Sequence, residues 1–298
     1  MGYGSYAGFA GCANSPMTPW LLAARPKTLA AAVTPVLVGT ALACVNAKVD
    51  WPPFLFAMLG AVFIQIGTNY VNDALDFKKG SDTHARLGPL RVTQAGLLDA
   101  DAVLRGAYVC FGLAALCGIP LILRSGWPIA IAGFASIVAA YAYTGGPYPL
   151  AYHGLGELFV MAFFGLVATG GSYYVQRLTV GRDALLAGVA CGALAIVLLA
   201  INNLRDIDHD RASNKRTLAA RFGRGFARAE IAVMALLPFA VLPRGFRGVL
   251  FVLPLAVLVI VCAMRSEGRA LNRCLAFAGM LEWSFGIAFV ICGSGAIR

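Results

Sequence analysis

Charge is what this 298-residue chain has least of: 13% of its residues are charged, only 14 are acidic, and its mean hydropathy is +0.76. Soluble domains carry about 25% charged residues. A soluble enzyme is therefore excluded, and the long apolar runs read as membrane-crossing helices. Histidine is scarce too, with His84, His153 and His209 scattered along the chain, which excludes a histidine-built metal centre. The eight cysteines include no C-x-x-C pair, and Cys44, Cys110, Cys117, Cys191, Cys262 and Cys292 lie inside apolar runs. They read as small core residues with no disulfide framework. No cleavable leader is evident, since residues 1–18 are rich in Gly, Ala and Ser without a basic start. They read as a loose tail before a single domain at 19–298.

What is present is mostly apolar. Pro, Gly and charge break the chain into nine expected spans, at roughly 28–47, 52–71, 103–123, 128–144, 155–175, 184–203, 227–243, 248–264 and 276–296. The expectation is an all-α polytopic membrane protein, a helix bundle with two long polar cap loops at about 72–102 and 204–226. The net charge of +10 would point to nucleic acid in a soluble protein, but here the bases sort by loop. With the amino terminus in the cytoplasm, Arg25, Lys27 and the bases at 78–105, 205–228 and 265–273 fall on the inner side. The positive-inside rule favours that orientation and makes both caps cytoplasmic. The bilayer is the expected partner, and nucleic acid is not.

The few acids cluster. Asn202 to Arg216 reads Asn-Asn-Leu-Arg-Asp-Ile-Asp-His-Asp-Arg-Ala-Ser-Asn-Lys-Arg and begins where an apolar helix ends. If that helix continues, Asn203, Asp206 and Asp210 line one stripe at i, i+3 and i+7, while Asp208 points away. About 130 residues earlier, Asn72, Asp73, Asp76 and Asp82 close another apolar run. Like charges this close, beside hydrocarbon, call for a cation between them. Mg²⁺ suits oxygen ligands and shares them with phosphates. Bases follow each cluster: Lys78, Lys79, Arg86 and Arg91, then Arg211, Lys215, Arg216 and Arg221. Intramembrane Glu157 is a further site candidate, whereas Glu282 is expected to meet an interfacial Arg or Trp283.

At these residues the chain resembles the UbiA superfamily of intramembrane aromatic prenyltransferases. More narrowly it is similar to the bacterial 1,4-dihydroxy-2-naphthoate polyprenyltransferases of menaquinone biosynthesis. That likeness rests on Arg25-Pro-Lys-Thr-Leu29, on Asp76-Phe-Lys-Lys-Gly-Ser-Asp82, on Gly88-Pro-Leu-Arg-Val-Thr-Gln94, on Tyr143-Thr-Gly-Gly-Pro-Tyr-Pro-Leu150, on Gly171-Ser-Tyr-Tyr-Val-Gln176, and on Asn202-Asn-Leu-Arg-Asp206 with Lys215-Arg-Thr-Leu218. The resemblance implies that Asn72, Asp73, Asp76, Asn203, Asp206 and Asp210 hold Mg²⁺ and a diphosphate. Arg86, Arg91 and Lys215 then contact phosphate oxygens, and Lys27, Lys79, Tyr143, Arg205 and Arg216 join them around the substrates. Glu157 assists proton handling beside the catalytic Asp73, Asp76, Asp206 and Asp210. The implied reaction moves a polyprenyl group from its diphosphate to the naphthoate with loss of diphosphate and CO₂, at the cytoplasmic face of the bacterial inner membrane. The third acid of the first motif comes six residues after Asp76 rather than the superfamily's four. Thr-Gly-Gly follows Tyr143 where hydroxybenzoate enzymes tend to have a Lys. Acceptors such as 4-hydroxybenzoate or homogentisate stay open, as does an ion-coupled transporter, although transporters place such acids near the midplane.

Overall fold

The computed structural model describes residues 17–45, 47–80, 87–243 and 245–295, and every regular element among them is helical. A short helix α1 (Met17–Ala24) turns through a 3₁₀ segment at Pro26–Thr28 into α2 (Ala30–Ala43). Then come α3 (Trp51–Lys78), α4 (Ala100–Ser125) and α5 (Trp127–Ala142). Helix α6 (Gly156–Val160) runs through a π-helical stretch, Met161–Val167, into α7 (Ala168–Arg177). The chain continues as α8 (Arg182–Arg205), α9 (Ile207–Ala212), α10 (Leu218–Ala240), α11 (Leu253–Arg265) and α12 (Leu271–Gly293).

Six helical segments are long and apolar enough to cross a membrane: Trp51–Lys78, Ala100–Ser125, Gly156–Arg177, Arg182–Arg205, Arg247–Arg265 and Gly268–Gly293. The α1–α2 pair, bent by 51°, makes a seventh if taken as one span. Helix α5 is apolar but shorter, and α10 carries Arg221, Arg224 and Arg228 in its first half and Glu230 at its middle. Local chemistry sets the starts. Pro52 and Pro128 open α3 and α5, where a missing N–H costs nothing. The Asp99 carboxylate caps α4 by accepting from the N–H groups of Asp101 and Ala102 at 2.9 and 3.1 Å.

Helix α8 is the spine. It packs against α10, α12, α2 and the π-helical stretch, and most of its residues from Ala184 to Arg205 are buried. Small residues permit that closeness. A Cβ on Gly165 would stand 2.6 Å from the Gly188 carbonyl oxygen and 2.9 Å from Gly192 Cα.

Several expectations are corrected. Residues 1–16 of the expected tail lie outside the described residues, but its last two residues open α1. Asn72, Asp73 and Asp76 of the first acidic cluster are not in a loop, because α3 runs on to Lys78; Asp82 lies outside the described residues. The helix before the second cluster does not continue: Asp206 sits at φ −97°, ψ 9°, ending α8 before α9 begins. Cys262 and Cys274, on the antiparallel neighbours α11 and α12 with Cα atoms 5.7 Å apart, form a disulfide. Their spacing of 12 spans the α11–α12 turn, a pairing invisible without the hairpin. Glu282 meets neither an Arg nor Trp283 through its carboxyl group: it is fully buried in α12, and neither carboxyl oxygen has a hydrogen-bond partner among the described residues.

Candidate active site

One cavity of about 2300 Å³ runs down the bundle, and both acidic clusters line its upper end. On α3 the lining positions Ala57, Ala61, Ile64, Thr68, Asn72 and Asp76 recur every three or four residues, a single helical face. Asn203, Asp206 and Asp210 line it from α8 and α9. The break at Asp206 preserves their common direction, since the Asp206 N–H donates to the Asn202 carbonyl at 3.0 Å and the Asp210 N–H to that of Asp206 at 2.8 Å. Asp208 faces away as expected, exposed and paired with Arg224 at 2.7 Å.

The acids are held by bases. Asp76 accepts from Arg91 at 3.1 Å and from the Tyr152 hydroxyl at 3.0 Å. Above the Tyr152 ring stand the ammonium groups of Lys79 and Lys215, 4.9 and 5.5 Å from its centre. Arg205, itself buried, donates to both oxygens of Asp206 at 2.8 and 2.6 Å. Its third nitrogen reaches Asn272 of α12 at 2.8 Å. The Asn72 carbonyl accepts from Thr144, whose backbone carbonyl in turn takes Lys79. Asn203 donates to Glu157 at 3.0 Å, also on the lining.

Burial pushes the Asp210 carboxyl up to about 6, and the nearby Asp206 and Asp76 carboxylates add to the shift against the pull of Lys215. Asp76 and Asp210 line the same cavity, so the two clusters meet there. A cation between them relieves that repulsion. Among the described residues no three Asp, Glu, His or Cys side chains gather tightly enough to cage an ion by themselves. The carboxylates and amide oxygens on the cavity are hard oxygen donors of the kind that suits Mg²⁺, an ion that keeps water and shares its ligands with phosphate.

Not every expected residue lies on the cavity. Asp73 is buried away from it, accepting from the N–H groups of Val92 and Thr93 at 3.3 and 3.1 Å and from the Thr93 hydroxyl at 2.6 Å. Lys79 stands just outside the lining and Arg216 is exposed, while Lys27, Arg91, Tyr143, Arg205 and Lys215 line it. Arg86 falls outside the described residues. Tyr152, Thr144 and Asn272 were not among the expected site residues, because their roles arise from tertiary contacts that no short motif encodes. Phe159, Phe163 and Phe164 also line the cavity.

Residues 32–293 match the model of the UbiA prenyltransferase family. The chain belongs to that family. It is 43% identical over 223 residues to the 1,4-dihydroxy-2-naphthoate octaprenyltransferase of Mycobacterium tuberculosis, a match covering 74% of this chain and 75% of the relative. The Escherichia coli protein of that name is 40% identical over 215 residues, covering 70% of each. Among solved structures, a UbiA homologue from Archaeoglobus fulgidus bound to DMAPP and Mg²⁺ superposes with a TM-score of 0.64 at 15% identity, covering 93% of this chain and 99% of that one. Within this family, the bundle described above is the UbiA fold.

Proposed function

We propose that the chain transfers a polyprenyl group from polyprenyl diphosphate to 1,4-dihydroxy-2-naphthoate, releasing diphosphate and CO₂, in menaquinone synthesis. The observation that carries this reading is the meeting of two oxygen-rich helix ends, Asn72/Asp76 and Asn203/Asp206/Asp210, over one apolar cavity. Relatives 35–43% identical over most of the chain bear that activity in their names.

The chain's residues divide the work. Asn72, Asp76, Asn203, Asp206 and Asp210 would hold Mg²⁺, which when bound supplies positive charge against the departing diphosphate. Lys79, Arg91 and Lys215 bind phosphate oxygens beside it, and Arg86, which lies outside the described residues, joins them on the strength of the family resemblance. Tyr152 and Arg205 orient Asp76 and Asp206. Below, the cavity walls exclude water from the allylic cation, and the faces of Phe159, Phe163 and Phe164 stabilise it by about 0.5–2 kcal/mol each. Phe134 and Ile122 line the deep part of the cavity and are exposed on the outer apolar flank, a sideways exit for a long isoprenoid tail. Since CO₂ and not a ring proton leaves, Glu157, hydrogen-bonded to Asn203 and on the cavity lining with Tyr143, is placed to assist proton handling at the acceptor's ring hydroxyls. The basic loops support a cytoplasmic site in the inner membrane, and taking α5 and α10 as spans beside the six long segments and the bent α1–α2 pair gives nine within a single domain at 19–298. Acids at helix ends rather than at the midplane argue against a transporter.

Purified protein given radiolabelled polyprenyl diphosphate, Mg²⁺ and a panel of aromatic acids tests the assignment. Prenylation of dihydroxynaphthoate ahead of 4-hydroxybenzoate and homogentisate is expected; preference for either of the others replaces the acceptor.

A further inference from the structure

Gln65 stands on the cavity face of α3, two helical turns or about 10 Å deeper than Asn72. It is only 7% exposed, and the cavity face beyond it, Ala61, Gly60 and Ala57, is apolar. Its amide has one fixed orientation. The NH₂ group donates to the Thr28 hydroxyl oxygen at 3.2 Å, and Asn69 donates to that same oxygen at 3.0 Å. Thr28 spends its own proton on the Arg25 carbonyl at 3.0 Å. Both Thr28 lone pairs are taken and its hydrogen is used, so the Gln65 carbonyl cannot turn towards it. Gln65 Oε1 is left buried with no hydrogen-bond partner among the described residues.

A buried carbonyl without a donor is unfavourable, more so in a membrane interior where water is scarce. The reaction supplies few donors at this depth. A polyprenyl tail has no N–H or O–H, and an ionised diphosphate or carboxylate only accepts. The ring hydroxyls of the aromatic acceptor are donors. In 1,4-dihydroxy-2-naphthoate the 1-hydroxyl is shared with the adjacent carboxylate, which leaves the 4-hydroxyl free. We infer that Gln65 Oε1 accepts the hydrogen bond of this 4-hydroxyl, so that Gln65 is a specificity-determining residue for a 1,4-dihydroxy ring. The inference rests on the function proposed above and adds the part of the acceptor that the site reads.

The test compares 1,4-dihydroxy-2-naphthoate with 1-hydroxy-2-naphthoate, the latter measured as a competitive inhibitor so that ring reactivity does not enter. Wild-type protein is expected to bind the dihydroxy compound about tenfold more tightly. Gln65→Met, of similar length and apolar, should bind the two alike, with the KM for polyprenyl diphosphate unchanged as the check on folding. Gln65→Glu, whose neutral carboxyl keeps both a donor for Thr28 and a carbonyl acceptor, should restore the preference. Equal discrimination by wild type and Gln65→Met would mean that water or nothing meets Oε1, and would overturn this inference alone. Failure of wild-type protein to prenylate dihydroxynaphthoate at all would overturn both readings.

Discussion

Arg205 grips the carboxylate of its own chain neighbour, Asp206, with two hydrogen bonds of 2.8 and 2.6 Å. The grip falls at the break between α8 and α9, so Asp206 is aimed at the cavity by the residue just before it rather than by a helix running on. Asp206→Ala and Asp76→Ala should each lower prenyl transfer in membranes by roughly 10²-fold or more, the scale of losing a preorganised electrostatic group. Asp208→Ala should stay within about twofold, because an exposed ion pair contributes little. Equal losses in all three would refute the shared-face geometry.

Asp73 is expected to behave differently from Asp76. Its oxygens tie α3 to the Val92–Thr93 turn that presents Arg91. Asp73→Asn should cost about 1–3 kcal/mol of stability, read by thermal unfolding in detergent. The Mg²⁺ concentration giving half-maximal activity should not move; a rise would return Asp73 to the metal-binding set.

Removing divalent cations with excess chelator should stop turnover, and adding Mg²⁺ back should restore it. The donors are hard oxygen groups without a thiolate or imidazole among them, so Mn²⁺ is expected to substitute at least in part. Activity that persists in excess chelator would remove the metal from the reaction.

Glu282 carries a stability prediction. A fully buried carboxyl with no partner is a net cost, and an apolar side chain of similar length avoids it. Glu282→Met should raise the thermal midpoint, with transfer activity retained. A fall in the midpoint would show that the carboxyl group holds a contact.

How much of this was legible beforehand depends on the kind of signal. Hydropathy found the helical segments because apolar runs bounded by Pro and Gly need no tertiary knowledge. Asn72, Asp76, Asn203, Asp206 and Asp210 were legible as oxygen donors too costly to leave uncompensated beside lipid. Asp73 looked equivalent to Asp76, since spacing gives a residue's direction on its helix but not which turn will claim its oxygens. Tyr152 and Asn272 were silent because each acts across the bundle, on residues 76 and 67 positions away. The Cys262–Cys274 pair was hidden by composition: in an apolar run a cysteine reads as a small core residue until two helices are seen to lie side by side.

The two arms of the site rest on unequal footings. In α8, which carries Asn203 and leads into Asp206, 72% of the apolar stretch is covered by protein; in α3, which carries Asn72 and Asp76, the figure is 28%. The most hydrophobic of the candidate spans is therefore the one least in touch with lipid. One arm is held in the middle of the bundle while the other has most of its apolar stretch uncovered by protein, so a change in bilayer thickness would reach Asn72 and Asp76 through α3 before it reached Asn203.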